Sequence, residues 1–192
     1  TDDDALGQLV SALPKEARDH RGIVLVADEQ QEKAKNLVQL DQWLSLCPET
    51  ATVVMLDSVT DPHNVGAILR SCDQFGASIL ILPERRGAGS SAYVPTAVVS
   101  NLVRAAEMLK QAGFWIYGAD ADGSPLQKTV FDKKTCLVMG SEGNGISRLL
   151  SKECDTVVSI PTCGKIDSLN VSVAAGVLLY ERHRQILAGT ID

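Results

Sequence analysis

The run ATVVMLDSVTDPHNVGAILRSCDQFGASILIL, residues 51–82, reads as strand, helix, strand. Thr52–Asp57 and Ser78–Leu82 are short unbroken apolar runs, the pattern of strands buried on both faces. Between them, Asp61-Pro62-His63-Asn64 is a turn and helix-start signature. Proline fixes φ there and an Asx side chain accepts hydrogen bonds from the opening amides. The helix is expected from about Asn64 to Phe75. Downstream the alternation continues: a Gly/Ser-rich loop at Gly87–Ala92, a helix over Ser100–Ala112 and a strand at Phe114–Gly118. Then follow a strand at Thr135–Gly140, a short helix at Ser147–Leu150, a strand at Asp155–Ile160 and a closing helix over Asn170–Ile186. Such alternation predicts an α/β fold with a mostly parallel sheet flanked by helices. Ligands of these sheets bind at the carboxyl ends of the strands, so polar residues just after each strand are the candidates for function.

Upstream the pattern differs. DDDALGQLVSALP suits a short helix and RGIVLVAD a strand, and residues 1–28 look like the end of another unit. Residues 29–50 read as a linker and lead-in helix, with Leu37, Leu40, Trp43 and Leu44 at helical spacing and Pro48 ending the run. Residues 51–192 form the main domain. With 192 residues, 45% hydrophobic but only 4% aromatic, one aliphatic core should dominate. No apolar stretch approaches the roughly 20 residues of a membrane span, and no signal peptide opens the chain, so a soluble cytoplasmic protein is expected. Five cysteines without close pairs suggest neither zinc nor disulfides, and they read as reduced thiols, mostly core fillers. No metal is expected. A net charge of −6 opposes a strongly basic nucleic-acid binder. Any RNA contact would need a local patch, for which Arg70, Arg85, Arg86, Arg104 and Lys165 are the candidates.

Three segments carry chemistry. In the first, residues 56–76, Arg70 lies six residues after Asn64 among Ile68, Leu69 and Phe75. An arginine in so apolar a segment calls for an anionic partner or a polar cleft, the plainer alternatives being that it snorkels to water or pairs with Asp73. The second, LVMGSEGNGISRLL at 137–150, is a buried strand entering a glycine-rich turn that lets backbone approach a ligand. Its spacing fits neither the dinucleotide fingerprint nor the phosphate loop. An ordinary strand-to-helix connection is the competing reading, but Glu142, between Gly140 and Gly143, has few packing duties. The third is residues 157–184, where Ser168 or Asn170 caps a helix so apolar that it should be buried nearly all round.

Together these segments resemble the SpoU or TrmH family, 2′-O-ribose methyltransferases of the SPOUT superfamily. An Asn-x-Gly-x-x-x-Arg helix, a Gly-x-Glu-Gly turn, and Ile-Pro followed by Ser-Leu-Asn-Val-Ser occur in that order over about residues 52–186. The resemblance implies a C-terminal deep trefoil knot that forms the methyl-donor pocket. It implies that Gly140, Ile160 and Leu169 contact S-adenosylmethionine through backbone, that Met139, Gly143, Pro161 and Ser168 shape the site, and that Ala119 and Asp120 line it. It carries Arg70 over as the catalytic arginine, acting either as a base or by holding phosphate and ribose. Asn64, Glu142, Ser168 and Asn170 would orient it and the nucleotide. It also implies a homodimer acting on RNA, without metal.

Two departures stand out. Family members often carry an N-terminal RNA-binding domain, and DHRGIVLVAD resembles its final strand with the rest absent. Between Arg86 and Tyr93 the sequence is shorter than the family's substrate loop. The N-terminal trace favours ribosomal RNA as substrate; tRNA, and a non-catalytic RNA-binding or assembly factor of the same fold, are the competing readings. A generic nucleotide-binding domain fails for want of a phosphate-binding motif.

Overall fold

The computed structural model describes residues 36–84, 94–164 and 168–191. The chain runs through helix α1 (Leu40–Ser45), strand β1 (Ala51–Leu56), helix α2 (Pro62–Gln74) and strand β2 (Ile79–Pro83). Next come β3 (Thr96–Val99), α3 (Leu102–Gln111), β4 (Trp115–Pro125), β5 (Lys134–Met139), α4 (Arg148–Ser151), β6 (Thr156–Ser159) and α5 (Val171–Leu187). The expected remnant at 1–28, residues 29–35 of the linker, the Gly87–Ala92 loop, Arg85, Arg86 and Lys165 lie outside the described residues.

The six strands form one sheet in the order β3-β2-β1-β5-β4-β6, and every pairing is parallel. Their apolar runs require cover on both faces, and alternate side chains supply two cores. Val54, Leu56, Leu80, Leu137 and Met139 pack with Ile68 and Cys72 of α2 and with Val171, Ala175 and Leu178 of α5. Val53, Met55, Ile79, Ile81 and Val138 pack on the other face with Ala105, Ala106 and Leu109 of α3 and with Leu150 of α4. The sheet grows outward from β1 through β2 to β3, then resumes on the opposite side with β5, β4 and β6. That reversal opens a crevice beyond the carboxyl ends of the strands.

Local chemistry sets the helix starts. The Asp61 carboxylate accepts from the His63 amide at 2.9 Å, and Pro62 occupies the first turn of α2. On α5 the cap is Asn170, whose side-chain oxygen accepts from the amides of Ser172 at 2.9 Å and Val173 at 3.4 Å; Ser168 lies before the cap. The far end of α5 is bolted to the sheet. Arg182, 1% exposed, donates to the carbonyls of Ala51, Asp132 and Lys133. Burial pulls its pKa down to about 10.

Several expectations change. Periodicity does not disclose β3, because four residues are too few to show it. Strand β4 continues past Gly118 to Pro125, with a register shift against β6 between Ala119 and Ser124. Of the lead-in helix, only Leu40–Ser45 is helical among the described residues. The closing helix is not buried all round: Val173, Tyr180 and Leu187 are 52%, 55% and 74% exposed. Composition alone cannot tell a core-facing stripe from a surface awaiting a partner. The cysteines divide, with Cys72 and Cys136 buried, Cys47 and Cys154 half-buried and Cys163 exposed. No helix among the described residues is long and apolar enough to cross a membrane.

Candidate active site

Strand ends β4, β5 and β6 and the start of α5 surround an open cleft. Met139, Gly140, Glu142 and Gly143 line it from the turn after β5, and Ala119 and Asp120 from the bulged part of β4. Ile160, Ser168 and Leu169 line it from the segment between β6 and α5. Pro161 is exposed and is not a lining residue. Sequence reasoning missed Ala121, Gly145, Val158, Thr162, Val171 and Ala174. Gly145 belongs to a glycine-rich turn already singled out, whereas Val171 and Ala174 reach the cleft only because α5 packs beneath it.

The turn after β5 is folded tightly. Ser141 and Gly145 exchange backbone hydrogen bonds at 3.1 and 3.0 Å. A Cβ on Gly140 would land on the backbone of Gly145 and Ile146, so only glycine permits this approach. Gly143 and Gly145 have φ of 116° and 62°, which other residues rarely adopt.

At the rim, three motifs meet in one hydrogen-bonded triangle. Asn64 Nδ2 donates to Glu142 Oε1 at 3.1 Å, and Asn170 Nδ2 donates to the same oxygen at 2.6 Å. Asn170 Nδ2 also donates to Asn64 Oδ1 at 3.0 Å, and the Val171 amide reaches Glu142 Oε1 at 3.4 Å. Three groups donate to Oε1, and the other carboxylate oxygen of Glu142 has no protein donor among the described residues. Residues 106 positions apart are thereby joined.

Arg70 stands apart from this triangle. The expectation of a built-in anionic partner, or of a pair with Asp73, is not met: Arg70 is exposed and has no hydrogen bond or ion pair among the described residues. Its apolar neighbours in sequence, Ile68 and Cys72, point into the core while the arginine lies on another face of α2. Ser168 makes no hydrogen bond to the triangle. Of the proposed basic patch, Arg70 and Arg104 are both exposed. Among the described residues no cluster of three or more His, Cys, Asp or Glu side chains could hold a metal ion.

The parallel sheet with a glycine-walled cleft at its strand ends is the frame of a class that comparison with known proteins names, the TrmH/SpoU RNA methyltransferases. The structure is similar to the TrmH/SpoU tRNA modifying enzyme of A. aeolicus, with a TM-score of 0.66 and 29% identity, over 79% of this chain and 86% of that one. It is also similar to the SpoU methyltransferase AviRb of Streptomyces viridochromogenes in complex with the cofactor AdoMet. There the TM-score is 0.65 at 30% identity, over 73% of this chain and 60% of that one. In sequence the chain is 39% identical to the 23S rRNA (guanosine-2′-O-)-methyltransferase RlmB of Neisseria meningitidis, over 92% of this chain and 73% of that protein. Residues 51–180 match the SpoU rRNA Methylase family. The chain belongs to that family, whose members use S-adenosylmethionine to methylate RNA.

Proposed function

We propose that this chain methylates a ribose 2′-hydroxyl of RNA, with ribosomal RNA as the substrate class, in the cytoplasm. The observation that carries the reading is the Asn64–Glu142–Asn170 triangle at the rim of the donor cleft, because it places three motifs distant in sequence around one point. The cleft fits S-adenosylmethionine: its charged lining side chains, Asp120 and Glu142, are both acidic, which suits a cationic ligand. When bound, the donor supplies an electrophilic methyl group on a sulfonium.

The chain's own residues hold and align. Gly140, Ile160 and Leu169 offer backbone groups, and Met139, Gly143 and Ala119 close the walls. We place the segment from β6 to α5 in a deep trefoil knot, as the family resemblance implies. On the RNA side, Arg70 has no partner among the described residues, so its fork of donors is free for a backbone phosphate. Held in this way, the ribose would be oriented toward the donor cleft, and orientation is the main rate advantage available to a site that positions its reactants. Asn64, Glu142, Ser168 and Asn170 orient the nucleotide.

Residues 51–192 are taken as the catalytic domain, residues 29–50 as its linker and lead-in helix, and residues 1–28 as part of a further RNA-binding unit. A second copy of the chain covers the exposed apolar side chains Val173, Tyr180 and Leu187 of α5, giving a homodimer. Incubation of the protein with labelled donor and total RNA, followed by mapping of ribose methylation, tests the whole reading. Label at a 2′-oxygen of ribosomal RNA supports it; label confined to tRNA redirects the substrate. RNA binding without transfer identifies a non-catalytic factor.

A further inference from the structure

One buried carboxylate takes no part in the triangle. Asp57, the first residue after β1, is 6% exposed, and no cation pairs with it among the described residues. A charge so placed is costly unless hydrogen bonds satisfy it. Its Oδ2 accepts from the Ser147 amide at 2.6 Å, across 90 positions, and its Oδ1 accepts from the Ser58 hydroxyl at 3.2 Å. The Asp57 amide donates to the Met139 carbonyl at 2.8 Å, immediately before the glycine-rich turn.

We infer that Asp57 is a positioning residue for the methyl-donor cleft, its carboxylate clamping the turn 140–147 in the shape that receives the donor. The turn has two fasteners. Ser141 and Gly145 pair with each other, closing its tip. Ser147 is the point where the turn leaves for α4, and Asp57 holds that point against β1. Glu142 and Gly143 lie in the loop that the first closes, and with Gly145 they line the cleft. The same corner directs the other arm of the site. Ser58 has φ of 60°, a conformation that non-glycine residues rarely adopt, and it turns the chain from β1 toward Asp61 and Asn64. The bond from Ser58 to Asp57 therefore joins the donor turn to the arm that carries Asn64. The location agrees with a positioning role, since Asp57 sits at the carboxyl end of one of the two central strands, the end at which such sheets bind ligands.

This inference rests on the reading of the cleft as the donor site. The test is calorimetry with S-adenosylmethionine on the full chain, for wild type, Asp57→Asn and Asp57→Ala, alongside hydrogen exchange. Asparagine keeps the shape and one acceptor but removes the charge, whereas alanine leaves the Ser147 amide unpaired. Exchange of a charged acceptor for a neutral one predicts a dissociation constant raised about tenfold in Asp57→Asn, and loss of the hydrogen bond one raised up to about a hundredfold in Asp57→Ala. Amides of 141–147 should lose protection while those of β1 and β5 keep theirs, and KM for the donor should rise by a larger factor than kcat falls. If Asp57→Ala does not fold, Asp57→Asn carries the test. Donor binding by Asp57→Asn within twofold of wild type overturns the inference alone. A wild-type protein that binds no donor overturns the reading of the cleft, and the inference with it.

Discussion

The Asn170 side chain is divided between two tasks: its amide donates to Glu142 at 2.6 Å, while its oxygen caps α5 through Ser172 and Val173. One residue thus starts the last helix and ties it to the turn after β5. Asn170→Ala removes both contacts and should cost about 1 kcal/mol of stability, the usual value of a cap. Asn170→Asp keeps the cap acceptor but sets a second carboxylate against Glu142. It also removes the amide donor that Glu142 accepts from, so its stability at pH 7, measured by urea denaturation, should fall below that of wild type. Equal stability of Asn170→Asp and wild type would show that the bond between Asn170 and Glu142 contributes nothing to the fold.

Arg70 has no protein partner among the described residues, so its replacement leaves no contact broken. Arg70→Ala should unfold within about 0.5 kcal/mol of wild type, as for a surface change. Donor affinity by calorimetry should be near normal, with most methyl transfer lost. Because Arg70 is assigned a phosphate, RNA affinity should also depend less steeply on salt in the variant. Unchanged turnover would remove the arginine from the site.

Gly140→Ala drives a methyl group into the backbone of Gly145 and Ile146. The neighbours are main chain and cannot swing aside, so the turn must move. Overpacking of this kind costs about 1–3 kcal/mol. Calorimetry should show a severe loss of S-adenosylmethionine binding in a protein that still folds. Retained binding would mean the turn is pliant and does not form the wall of the cleft.

Tyr117 is buried, and its hydroxyl donates to Asp132 at 2.7 Å. Burial, then the neighbouring carboxylate, pushes the phenol well above its ordinary value of 10. A raised folded-state pKa means stability that is whole below about pH 10 and lost as pH climbs toward the folded value. Absorbance at 295 nm should therefore show one of the three tyrosines ionising only when the protein unfolds. Tyr117→Phe should delete that component and flatten the alkaline loss of stability.

Much of this protein is written locally. The apolar runs at 52–57, 78–82 and 135–140 specify buried strands, Asp61-Pro62 specifies the start of α2, and the ordered motifs around Asn64, Glu142 and Asn170 specify the family. These are features of neighbouring residues, where dihedral preferences, capping and short-range periodicity act. Other features have no local signal. The bulge that swings Asp120 over the strand ends arises from pairing between β4 and β6. The exposure of Arg70 depends on which face of α2 meets the sheet. Asp57 reads as the polar end of a strand until Ser147 is brought within 2.6 Å of it. Local pattern accounts for most of the elements and for the family, with β3 and the extension of β4 as exceptions; tertiary packing settles which polar groups share hydrogen bonds and which face water. The reason is physical: hydrogen bonds act over about 3 Å, and only packing of the two cores against the sheet brings residues 90 to 106 positions apart within that reach.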